Sequence, residues 1–131
     1  MGLDMRFVSG KVDESIIDKD KAQLVHCELN GGLRDIARFR KHSDLHGFLT
    51  NIWLLKNPDT SYTDFNCDYL EITPKILSEI EMLAYNPPKM HYSGPFWGES
   101  TLEDWEETKT LCEDIEKAFD EGERVFYFSW W

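Results

Sequence analysis

Val125-Phe126-Tyr127-Phe128-Ser129-Trp130-Trp131 closes the chain, and its crowding of aromatic side chains is the composition of a strand. A strand this apolar needs a partner strand or a pocket over it. The opening run offers a mate. Over Leu3-Asp4-Met5-Arg6-Phe7-Val8-Ser9 the apolar Leu3, Met5 and Phe7 alternate with Asp4 and Arg6, the period of two that marks a half-buried strand. We expect the terminal strands to be neighbours in one sheet, with both ends of the chain inside the fold and no leader or tail beyond it.

Working inward, Gly10 can end the first strand. Residues 23–29 read as a second strand closed by Asn30-Gly31-Gly32, which predicts a hairpin with the first. Ser43 suits the N-cap of a helix with Leu45, Phe48, Leu49, Ile52 and Leu55 on one stripe, His46, Thr50 and Asn51 opposite, and Asn57-Pro58 as its stop. Asp68 to Ile72 makes a short strand that runs into Thr73-Pro74, a cap followed by proline at the first helical position. The helix so begun buries Ile76, Leu77, Ile80 and Leu83 and ends at Asn86-Pro87-Pro88. Lys89 to Glu99 reads as an aromatic loop. Ser100-Thr101-Leu102-Glu103 can form a capping box for a last helix carrying Leu102, Trp105, Cys112, Ile115 and Phe119 to a stop at Gly122. Without repeats or linkers, residues 1–131 read as a single α+β domain. Its sheet is mainly antiparallel, with both terminal strands paired or adjacent and about three helices packed on one face.

Formal net charge is −11, which opposes attraction to nucleic acid or anionic lipid. We expect no direct nucleic-acid partner and no membrane. The acids concentrate near the end, where Glu103, Asp104, Glu106, Glu107, Glu113, Asp114, Glu116, Asp120, Glu121 and Glu123 face only Lys109 and Lys117. Cys27, Cys67 and Cys112 are odd in number and widely spaced, so we read them as free thiols in a reducing cytoplasm. No apolar run approaches the length of a membrane span, and a cytoplasmic location follows.

Four constellations could carry function. Arg34, Arg38, Arg40 and Lys41 precede the helix cap at Ser43, where backbone N–H groups favour an anion; the competing reading is a set of bases that only balances an acidic protein. His42 and His46 are four apart, but His42 precedes the cap and a third metal ligand is missing, so no metal and no cofactor are expected. His46 alone could be a general acid or base, or a structural hydrogen-bonding residue. The loop around Phe96 and Trp97, with Ser100 at a helix start, could hold a planar or anionic ligand or merely plug the core edge. Last, the outward face of the final helix could imitate the phosphate array of DNA and occupy a protein's basic groove, or simply be solvated. No nucleophile elbow and no phosphate loop is present, and no catalytic residue is assigned.

Met1-Gly2-Leu3-Asp4-Met5, Phe39-Arg40-Lys41 followed by Leu45-His46, Phe96-Trp97-Gly98 with Ser100, Asp104-Trp105 with Thr108, and Tyr127-Phe128-Ser129-Trp130 together form a recognisable pattern. It resembles a family of small bacterial and phage proteins that open with Met-Gly-Leu-Asp-Met and have no assigned activity. Relatives are sometimes labelled phosphoglycerate kinase, a two-domain enzyme several times longer whose nucleotide site has no counterpart in this sequence.

The resemblance implies a phage or mobile-element origin. With the charge layout it leads us to expect a non-enzymatic accessory protein that binds, and inhibits, a host protein with a basic surface, a defence or nucleic-acid-handling enzyme. Glu103, Asp104, Glu106, Glu107, Glu113, Asp114 and Glu116 would form the contact. The alternative is a pocket for a small molecule, a small anion or nucleotide, in an enzyme or a sequestering protein, with His46 to polarise the ligand or move a proton. There Asp4 and Ser129 meet beside His46, Arg38 and Arg40 hold the anion, Trp97 stacks, and Ser100 lies at the helix start.

Overall fold

The computed structural model describes residues 3–11, 17–18, 23–24, 33–87 and 100–131. The terminal strands pair as expected. Strand β1 (Asp4–Gly10) runs antiparallel to the last strand, Arg124–Trp130, with Met5 opposite Ser129 and Phe7 opposite Tyr127. The neighbour on the other side of β1 is not the one the sequence suggested. Gln23–Leu24 (β3) pairs instead with Ile17–Asp18 (β2), while residues 25–29 lie outside the described set. The partner of β1 is β4 (Arg34–Arg40), the stretch read above as a basic patch. Only Phe39 of β4 is buried, so charged residues hide its alternation. Charge is also what keeps an edge strand from pairing with other chains. The register shifts between Phe7 and Val8, which face Ala37 and Asp35, leaving Ile36 as the extra residue of a β-bulge.

With β5 (Tyr69–Ile72) and β6 (Arg124–Trp130), the four-stranded antiparallel sheet has the order β4-β1-β6-β5. Three helices, α1 (Ser43–Lys56), α2 (Pro74–Tyr85) and α3 (Leu102–Asp120), pack on one face, giving the expected α+β architecture. Side chains alternate across a strand, so Leu3, Met5, Phe7, Val125 and Tyr127 enter the helical core. Val8, Tyr69 and Phe126 form a second, smaller buried cluster. Among the described residues no helix is long and apolar enough to cross a membrane.

Helix starts are built locally. Thr73 accepts a hydrogen bond from Ile76 N–H ahead of Pro74, and Thr101 with Asp104 forms the capping box of α3, one residue later than the sequence suggested. Gly122, at φ +77°, closes α3: its N–H reaches Phe119 O while Glu123 N–H reaches Ala118 O, the Schellman arrangement that favours glycine. Helix α1 starts at Ser43 with His42 as its N-cap, not Ser43. Two stripe positions are exposed, Leu55 and Leu102. In their place the core takes Trp53 from α1 and Leu111 and Ala118 from α3.

Candidate functional site

The first turn of α1 is enclosed on every side: Ser43, Asp44, Leu45, His46 and Gly47 are all buried. His46 and Thr50, assigned above to a polar outer face, are therefore interior, and only Asn51 of that set is exposed. Burying so many polar groups is tolerable only when they are hydrogen-bonded. The Thr108 hydroxyl donates to Asp104 O at 2.7 Å, so towards His42 its oxygen can only accept, and the 2.9 Å contact with His42 Nε2 places a proton on Nε2. Asp44 N–H donates to Ser100 Oγ at 2.9 Å. The Ser100 hydroxyl is then free to donate to His42 Nδ1, 2.6 Å away. Neutral His42 in the Nε2–H form satisfies all four contacts in one direction. Burial holds it neutral, lowering its pKa to about 4 against the smaller opposing pull of Asp104 and Asp44.

This chain of bonds ties the start of α1 to the start of α3. Ser100 lies just ahead of α3, yet its hydroxyl serves the open N–H of α1. Ser100→Ala is expected to lower stability by about 1–2 kcal/mol in urea denaturation, since it removes an N-terminal acceptor from α1 and a partner from buried His42. A loss below about 0.5 kcal/mol would show that the contact holds nothing.

His46 sits one turn further into α1. Its Nδ1 is 2.6 Å from the Tyr127 hydroxyl, and its ring stacks on Phe65 and meets Trp131 edge-on. Burial alone lowers its pKa to about 3, and burial likewise pushes the Tyr127 phenol far up. The Ser129 hydroxyl, two residues along β6, lies near enough to ease that shift but among the described residues has no contact of hydrogen-bond geometry. His42 and His46 are thus held neutral inside the core. They fasten helices to each other and to the sheet.

The described members of the pocket sketched from the sequence do not come together. Asp4 faces Trp130 across the ladder and Ser129 faces Met5, so the two point to opposite sides of the sheet. Arg38 and Arg40 share the side of Asp4, away from the helices, because Arg40 pairs with Asp4 and Arg38 with Arg6 in the register. Arg38 is tied to Asp35 Oδ2 at 2.7 Å and Arg6 to Asp35 Oδ1 at 2.6 Å. Arg6 first, and then Arg38, hold the Asp35 carboxyl below its usual range. Arg40 lies 3.9 Å from Asp4, and Arg34 bonds Glu123 at 2.7 Å. The three arginines of the basic stretch are therefore ion-paired on an edge strand, while Lys41, just beyond it, is exposed. Of the proposed ligand residues, His46 and Ser129 share the core side, Ser100 is bound to His42, and Trp97 lies outside the described residues.

The acidic residues of α3 divide in two. Asp104 is half-buried and accepts from Thr101 N–H at 2.8 Å, and Asp114 is half-buried near Arg34. Glu103, Glu106, Glu107, Glu113 and Glu116 are exposed. Among the described residues Lys109 is the one base paired with this set, 2.9 Å from Glu106, and it also lies over the Tyr85 ring.

No family model, curated protein or solved structure matches this chain.

Among the described residues no group of three or more His, Cys, Asp or Glu is placed to hold a metal ion. Cys112 is buried, and burial first, then Glu81, Glu116 and Glu113, push its thiol up to about 12, so it is not a nucleophile at neutral pH. Sequence reasoning did not anticipate the partnership of His42, Thr108 and Ser100 or that of His46 with Tyr127. Their members are 58 to 81 residues apart, and no local spacing encodes such a meeting.

Proposed function

We propose that this protein acts by binding rather than turnover: a cytoplasmic accessory protein of phage or mobile-element origin that captures, and inhibits, a host protein through the acidic face of α3. The observation that carries this reading is the exposed row Glu103, Glu106, Glu107, Glu113 and Glu116, where among the described residues a single lysine pairs with one member. Among the described residues the rest of this charge is left without an ion pair, although the chain has arginines to offer. Those are spent on the sheet, where Arg34, Arg38 and Arg40 of β4 pair with Glu123, Asp35 and Asp4, Arg6 of β1 with Asp35, and Arg124 of β6 with Glu71. A rigid helix carrying like charges steers a basic partner from a distance and sets its orientation on arrival. The resemblance of the sequence to small phage proteins supports the origin, and the neutral, buried histidines are what a binding module needs from its core.

Reversing Glu106, Glu107, Glu113 and Glu116 to Lys is expected to abolish affinity capture of the host partner and leave the fold intact, since all four side chains are exposed. Wild-type capture should weaken steeply as salt rises, because exposed charges are screened over about 8 Å at physiological ionic strength. A reversed variant that still retained the same partner would sink the proposal.

A further inference from the structure

Between α2 and α3 runs a groove of about 430 Å³ lined by Pro74, Leu77, Ser78, Glu81, Glu116, Phe119 and Asp120. Leu77 is buried and Phe119 half-buried, so the lining offers an apolar base together with three carboxylates. Among the described residues, Glu81, Glu116 and Asp120 make neither a hydrogen bond nor an ion pair, whereas most carboxylates elsewhere on the sheet are matched by arginines. The field of Glu81 and Glu116 reaches buried Cys112, where, after burial itself, both act to keep the thiol protonated. Negative potential and apolar surface therefore coincide in one concavity.

We infer that the α2–α3 groove receives an arginine side chain from a basic segment of the partner protein. The inference rests on the binding reading above and narrows it to an anchor point. An arginine has an aliphatic stem that can cover Leu77 and Pro74, a planar cation that can stack on the Phe119 ring, and five donors in a fork that suits several carboxylates at once. A lysine offers a compact, strongly hydrated ammonium and gains less from an aromatic wall. Buried arginines are also common anchors of protein interfaces, set in pockets that exclude water.

Fluorescence anisotropy with labelled octa-arginine and octa-lysine tests this on the full chain at low salt. Ser78→Lys places an ammonium among the three carboxylates and fills the groove from within. Thr110→Lys makes the same change of charge among the outward acids of α3, away from the groove. Both positions are exposed. Ser78→Lys is expected to weaken octa-arginine binding at least about tenfold and Thr110→Lys less than about threefold, as loss of a charge-assisted contact predicts. Glu116→Gln with Asp120→Asn, nearly unchanged in shape, should reproduce the larger loss and guards against misfolding of the first variant. Wild-type protein should prefer octa-arginine to octa-lysine. Equal losses in the two lysine variants, or no preference for arginine, would overturn the groove and leave the acidic-face reading standing. Failure of the wild type to bind either peptide would overturn both.

Discussion

Tyr127→Ala is expected to cost about 4 kcal/mol, within the range for removing a large buried aromatic side chain. In a domain whose total stability is roughly 5–15 kcal/mol, a loss of that size approaches unfolding. Tyr127 is fully buried on central strand β6. Its ring lies 4.9 Å from Phe7 on β1 and 5.9 Å from Phe65, and its hydroxyl reaches His46 on α1. It thus joins the strand pair that brings the termini together to the helix above them. Tyr127→Phe separates the two contributions: it keeps the ring and leaves the buried His46 nitrogen without its partner, for about 1–3 kcal/mol. Urea midpoints for both variants decide the matter. An alanine variant that loses less than about 1 kcal/mol would mean that the terminal strands are not the seat of the core, and a neutral phenylalanine variant would show the 2.6 Å contact to be dispensable.

That central pairing is the part of the fold most legible in the sequence, because alternation at Leu3, Met5 and Phe7 and the aromatic run at the end each specify one buried face. Caps were nearly as plain. Thr73-Pro74 and Asn86 stand where expected, since capping depends on a few neighbouring residues. Strand β4 was hidden for a physical reason: as an edge it buries Phe39 and displays Arg34, Asp35, Arg38 and Arg40, so its residues look like a charged linker. The burial of His46 was hidden as well. A helical stripe records which face is apolar, but α1 dips far enough into the core that its polar side is covered too.

The candidate site follows the same division. The acidic face of α3 is legible because it depends on helical spacing alone. The pairing of Arg38 with Asp35, and the opposed directions of Asp4 and Ser129, depend on register, which a single strand does not reveal. The groove between α2 and α3 needed the helix packing itself, which brings Ser78 and Glu81 beside Glu116 and Asp120.

Acid is expected to destabilise this protein well above the range in which its carboxylates titrate. His42 and His46 are held at about 4 and about 3, whereas in the unfolded chain each returns to about 6.5. Between those values the unfolded state binds more protons, so stability falls as pH falls. The contribution of the two histidines is fully present above about pH 6.5 and is lost as pH drops towards their folded values, at about 1.4 kcal/mol per pH unit for each. From pH 7 to pH 4.5 the loss should be on the order of 5 kcal/mol. Two effects work near the lower end of this window. The carboxyl of Asp35, held below its usual range by Arg6 and Arg38, gives up its stabilisation only at lower pH. Neutralisation of the net −11 charge relieves self-repulsion and acts the other way. His42→Gln separates the histidine term from both: its amide still donates and accepts but does not titrate, so whatever its absolute stability, its slope against pH should be about half that of the wild type. Urea denaturation at steps from pH 7.5 to 4.5 measures both slopes. A wild-type stability that stays level down to pH 5 would show that the histidines are not held neutral in the core, and the ordered chain from Asp44 through Ser100 and His42 to Thr108 would have to be redrawn with the ring charged.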